Sequence, residues 1–220
     1  MHFNINGPFW QFLTLCVRFF VLNLLFVITI IPIVTIGPAR AALYSTVFAY
    51  CDNEDINLGR EYLKRLKREF LPAIGSSILF VALLAAATFA IVFWNSLDTN
   101  LSYVTLPVLI IVSVIVLLTF EYYYPLQARY ANRFTATLKN AFIMPWAAFG
   151  HTLILLAIDV AAVALFIFTD WIRVAFILLG FAWLAYAKSL IYLRIFAHVN
   201  GDPNQARETP DCSLPTGSLQ

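Results

Sequence analysis

The 220-residue chain is predicted to fold as an all-α polytopic helical bundle in a membrane, on three observations. Five apolar stretches are long enough to cross a bilayer, 61% of the residues are hydrophobic while 12% are charged, and the cations are confined to alternate connectors. A hydrocarbon core of about 30 Å needs roughly 20 helical residues at about 1.5 Å each. Charge-free runs cover 19–39, 71–97, 99–120 and 140–158, and a fifth apolar stretch covers 171–192. Soluble domains sit near 45–50% apolar and about 25% charged, so this composition belongs to lipid. One integral membrane domain over 1–199 follows, with spans near 12–36, 71–94, 101–124, 148–169 and 171–192. The tail, 200–220, is rich in Pro, Asp, Asn, Thr and Ser and is expected to be disordered.

Span one is expected to stay in the mature protein, because His2, Asn4 and Asn6 stand where an export signal carries cations, and the apolar run outlasts a signal sequence. Pro32 and the Gly37, Pro38 pair then break the helix before a second apolar stretch, 39–50. That stretch is too short to cross and reads as a re-entrant or interfacial helix packed against protein. If it inserts fully, the chain has six spans and an inside N-terminus.

The connector to span two reads as an amphipathic helix. Leu58, Tyr62, Leu63, Leu66 and Phe70 form one stripe, and Arg60, Lys64, Arg65, Lys67 and Arg68 fill the rest of the surface. It suits the inner leaflet, where anionic lipid attracts each cation by about 1 kcal/mol, or a docking partner. On span two, Ala82, Ala86 and Ala90 recur every fourth residue and mark a face that another helix can approach closely. The outer loop that follows carries no Lys or Arg, and its Asn100, Leu101, Ser102 triplet matches a glycosylation sequon.

Span three ends at Glu121 among Tyr122, Tyr123 and Tyr124, where interface exposure accounts for its charge. The second basic connector carries Arg129, Arg133 and Lys139, and 66–72 reads like 138–145. This suggests a parallel duplication of helix, span, span, a pattern known among transporters, unless the likeness is a coincidence of similar membrane entries. Span four carries Asp159 near its middle, where an ionised carboxylate costs roughly 2.5–3.5 kcal/mol to insert. It must be protonated, paired or facing a wet cavity. Arg18, Lys188 and His151 are its nearest candidate partners by depth. Asp159 and Glu121 are therefore the candidate pathway or inter-helix polar link.

Cations set the orientation, since basic connectors stay in the cytoplasm. Five spans with the N-terminus outside and the C-terminus inside account for twelve of the fourteen positive residues, Arg18 and Arg173 being the others. Trp94, Tyr103 and Trp171 then fall in an outer aromatic belt, with Tyr122, Tyr123, Tyr124, Trp146 and Tyr192 in an inner one. Cys16, Cys51 and Cys212 are widely separated, and His2, His151 and His198 share no ligand spacing, so neither a disulfide framework nor a metal site is expected. No phosphate-cradling loop, serine elbow or zinc-protease helix is present. The basic cluster is too short, and too close to the spans, for nucleic acid.

The run Asn23, Leu24, Leu25, Phe26, through Ile31, Pro32, Ile33, Val34, Thr35, Ile36, Gly37, Pro38, to Ala41, Ala42, Leu43, Tyr44 resembles the N-terminal signature of the bacterial YesL family, integral membrane proteins of unknown function. Tyr124, Pro125, Leu126, Gln127, Ala128, Arg129, Tyr130, continuing to Leu138, Lys139, Asn140, Ala141, Phe142, is similar to that family's second recurring stretch. Gln127 stands where an apolar residue is expected. The resemblance implies residence in the bacterial cytoplasmic membrane beside genes for polysaccharide uptake and breakdown, often next to sugar importers, and it carries over no catalytic residue. The expectation is a non-enzymatic, cofactor-free accessory of an ABC-type carbohydrate uptake system. Arg60, Lys64, Arg65, Lys67, Arg68, Arg133 and Lys139 would contact lipid, a permease or a cytoplasmic subunit. The alternative is an autonomous small-solute or ion transporter with Asp159 in its pathway.

Overall fold

The structure, a computed structural model, describes residues 8–52, 56–97, 99–130 and 132–200, and among these every assigned element is helical. The order is α1 (Pro8–Ile30), a 3-10 turn (Ile33–Thr35), α2 (Ile36–Asp52), α3 (Leu58–Ser96), α4 (Ser102–Arg129), α5 (Phe134–Ala147), α6 (Phe149–Phe168), α7 (Asp170–Ala175), a π segment (Phe176–Gly180) and α8 (Phe181–Asn200). Five helices are long and apolar enough to cross a membrane, in the order the sequence predicts. The expected tail lies outside the described residues beyond Asn200.

Span one stops earlier than expected, at Ile30, and the chain turns through Pro32, which precedes the 3-10 turn with extended backbone. Gly37 and Pro38, expected to break a helix, instead sit in the first turn of α2. Proline is tolerated there because a first-turn N–H has no partner inside the helix.

α2 runs back along α1, its Tyr50 ring 5.5 Å from Phe19. It also runs antiparallel to α3, since the Gly37 N–H donates to Ser77 Oγ at 3.1 Å while Arg65 Nη1 donates to the Ser45 carbonyl at 2.9 Å. Twelve of its seventeen residues are buried, against α1, α3, α4 and α8. A helix clad by protein on all sides needs no lipid-facing stripe, which is why α2 carries alanines, Ser45 and Thr46 where the spans carry Leu, Ile and Phe.

The basic connector helix and span two, expected as separate pieces, form one 39-residue helix, α3. Asn57 caps it by accepting from the Arg60 N–H at 3.3 Å, and the helix carries Pro72 without ending. The related passage in the second half takes a different form. There α5 ends at Ala147, and Ala148, with φ −119° and ψ 46°, separates it from α6. Thr152 Oγ1 closes that corner by donating to the Pro145 carbonyl at 3.0 Å.

The packing differs from the expected belts. Tyr122, Tyr123, Tyr124 and Tyr192 lie in the core rather than in an inner aromatic ring, together with Tyr62, Phe48 and Phe80. Tyr122 and Tyr192 meet edge to face at 5.5 Å, and Tyr122 hydroxyl bonds Thr152 Oγ1 at 2.7 Å. Tyr103 and Trp171 are highly exposed, as belt residues are. Ala82 and Ala86 are exposed as well and Ala90 is half-buried, so no helix among the described residues covers the first two positions of that small-residue face.

Candidate functional site

Four ionised side chains from four helices meet where α2, α4, α6 and α8 converge. Glu121 on α4 accepts from Arg40 Nη2 of α2 at 2.8 Å through Oε2. Its other oxygen, Oε1, accepts from Lys188 Nζ of α8 and from Tyr192 hydroxyl, the latter at 2.8 Å. Lys188 Nζ also donates to both oxygens of Asp159 on α6, at 2.7 and 2.9 Å. Two cations and two carboxylates form one connected, charge-balanced set. Each ion taken from water costs several kcal/mol, and only mutual pairing with good geometry offsets that cost.

The set is graded in exposure. Lys188 is 3% exposed and lies at its centre, Glu121 and Arg40 are 16% and 17% exposed, and Asp159 is 34% exposed. The Arg40 guanidinium also lies 4.5 Å from the Phe120 ring centre, a favourable cation–aromatic distance. A cleft of about 370 Å³ opens beside the four charges and has mostly apolar walls, including Phe26, Ile30, Phe181 and Leu184. The arrangement can bind a charged group and compensate its charge. Among the described residues, no three His, Cys, Asp or Glu side chains stand close enough to hold a metal ion.

Of the candidate partners for Asp159, the structure selects Lys188. Arg18 is exposed, and His151 makes no bond to the carboxylate. Glu121 departs from the expectation of interface exposure, because it is the acceptor that joins both cations. Sequence reasoning also missed Arg40, which counts by position as one more inside cation. The available signal was its place among residues too apolar and small for a surface helix, since a charge there requires a carboxylate from a neighbouring helix.

A second missed residue is Asn23, fully buried on α1. Its Nδ2 donates to the Ile177 carbonyl at 2.6 Å, and its Oδ1 accepts from the Ala182 N–H at 2.9 Å. Those two backbone groups are five residues apart, the pair a π-helical bond would join, so the carboxamide is inserted where the helix widens. Gly37 has a comparable reason. A Cβ there would lie 2.5 Å from Tyr124 hydroxyl and 2.7 Å from Ser77 Cβ, so only glycine lets α2 approach α3 and α4 this closely. Gln127, which stands where an apolar residue is expected, has its amide buried with no partner among the described residues.

The seven predicted docking cations divide into two groups. Arg65 turns inward to Ser45 Oγ at 2.7 Å and pairs with Glu61, while Arg68, though exposed, reaches the same oxygen at 3.2 Å and pairs with Glu69. Arg60, Lys64, Lys67, Arg133 and Lys139 are exposed too, and among the described residues only Lys64 of these five comes near an acid, 3.8 Å from Glu61. The expected apolar stripe of this helix divides as well. Leu58 and Tyr62 are buried within the bundle, while Leu63 and Phe70 face outward, so the helix is docked on α2 rather than lying free on a leaflet.

Cys16 and Cys51 are free thiols, and Cys212 lies outside the described residues. Burial pushes the Cys51 thiol up to about 11, with Asp52 adding to the shift and Arg129 opposing it. It stays protonated at neutral pH and is a poor nucleophile.

No curated protein and no solved structure matches the chain. The family model described as "Protein of unknown function, DUF624" matches residues 19–92, the stretch that contains Asn23, Gly37, Arg40 and the basic start of α3.

Proposed function

We propose that this protein is a non-enzymatic membrane component that works by docking to a partner complex, through the cations at the start of α3 and around α5. One observation carries the reading: Arg60, Lys67, Arg133 and Lys139 are exposed and have no acidic partner among the described residues, whereas the interior charges are paired with one another. An acidic surface complements that arrangement. The basic end faces the cytoplasm, where positive connectors are retained. The partner is a permease or cytoplasmic subunit of a carbohydrate importer of ABC type, the setting that the resemblance to YesL proteins implies. Copurification from native membranes tests this. Importer subunits should travel with the protein and be lost when Lys64, Lys67, Arg133 and Lys139 are changed to Glu; the same partners recovered with the variant would refute the docking face.

A second reading, autonomous transport, is favoured by a different observation. Asp159 is the most exposed of the four interior charges and borders the 370 Å³ cleft, as a pathway carboxylate would. Reconstituted vesicles should then show a solute or ion flux that Asp159→Asn abolishes, and unchanged flux removes the idea.

A further inference from the structure

The cleft beside the four charges offers more than a gap between helices. Arg40 spends one nitrogen on Glu121, and its remaining N–H groups have no partner among the described residues. Asp159 receives bonds from a single ammonium, while its two oxygens have about four lone-pair sites between them. Both side chains line the cleft, with Lys188 buried between the two carboxylates. One wall of the cleft therefore presents an unspent guanidinium fork and an unspent carboxylate, and the set as a whole is neutral. A lone cation or anion would unbalance it. A ligand carrying both charges would not.

The surroundings narrow the ligand further. Phe26, Ile30, Phe181 and Leu184 supply an apolar wall suited to an acyl chain. From Ser102 to Glu121 along α4, and from Asp170 to Lys188 on the other hairpin, the path is about 27–29 Å at about 1.5 Å per residue. Glu121 and Lys188 thus lie nearly one hydrocarbon thickness from the two hairpin tips, on the side of the basic connectors, while Asp159, nine residues or about 14 Å from the end of α6, meets them from nearer the midplane. α6 packs chiefly on α5, α7 and α8, and the Asp159 rim of the cleft stays open.

We propose that this cleft binds an aminophospholipid of the leaflet on the basic side, the phosphate on Arg40 and the primary ammonium on Asp159. Arginine suits the phosphate because its planar fork can donate two parallel bonds. The ammonium suits Asp159 because three N–H donors can use the lone pairs that Lys188 leaves. Choline lipids lack those donors, and glycerol headgroups lack the positive charge.

The test is thermal unfolding of the purified full-length protein in mild detergent with added lipid. Phosphatidylethanolamine should raise the midpoint by several degrees, and the shift should fall with each N-methyl group, reaching that of phosphatidylglycerol at phosphatidylcholine. Asp159→Asn should erase the difference between ethanolamine and choline lipids, and Arg40→Lys should reduce the shift with every phospholipid. The methylation series uses the unaltered chain and so holds even if either variant is unstable. Equal shifts across the series would overturn the proposal. A full shift from water-soluble glycerophosphoethanolamine would also overturn it, by assigning the site to the free headgroup rather than to a lipid.

Discussion

The charges at the convergence of α2, α4, α6 and α8 and those on the first turns of α3 are the same residue types in opposite circumstances. In the first group every ion is held by an oppositely charged partner, and Lys188 is almost wholly enclosed. In the second, Lys64 is largely exposed and Lys67 is exposed with no acidic partner among the described residues. A buried ion that loses its partner keeps its full desolvation cost, whereas an exposed one is simply hydrated. The interior set is therefore expected to determine whether the bundle holds together, and the surface set to determine what it meets.

Lys188→Met breaks this contrast most severely. It leaves Glu121 and Asp159 facing one another without the cation they share, and removing one member of a buried ion pair costs about 3–5 kcal/mol. Denaturant unfolding in micelles should show that loss; a loss under about 1 kcal/mol would mean that water already reaches the set. Gly37→Ala comes next, because its methyl must displace Tyr124 hydroxyl and Ser77 Cβ. Overpacking of this kind costs about 1–3 kcal/mol, and an unchanged unfolding midpoint would show that α2 can shift freely. Smallest is Lys64→Glu with Lys67→Glu, for which surface substitutions predict a change within about 0.5 kcal/mol. If that pair destabilised the protein as much as Lys188→Met, the division into structural and interacting charges would fail.

The membrane-crossing helices are legible from sequence because a run of apolar residues without charge has few other uses. α2 is not legible in the same way. Its surroundings are this chain's own helices rather than lipid, so its length and its alanines argue against a span while its burial makes it part of the core. Glu121 is misread for a related reason. Sequence gives depth along a helix but not which side faces the neighbours, and its contacts with Arg40 and Lys188 join residues 81 and 67 positions apart. The join of the basic connector helix to span two is not legible either, since α3 continues through Pro72 to Ser96 as one helix. Asp159 is the part of the site that sequence locates by itself, because a carboxylate in the middle of an apolar span demands compensation.

The central claim, that the four interior charges act as one unit, is tested most directly by a double-mutant cycle between Lys188→Met and Glu121→Gln, read from unfolding free energies in micelles. Coupling predicts that the double variant is more stable than the sum of the two single losses implies, by at least about 1.5 kcal/mol. Additive losses, within about 0.5 kcal/mol, would contradict it and leave the two residues as independent neighbours.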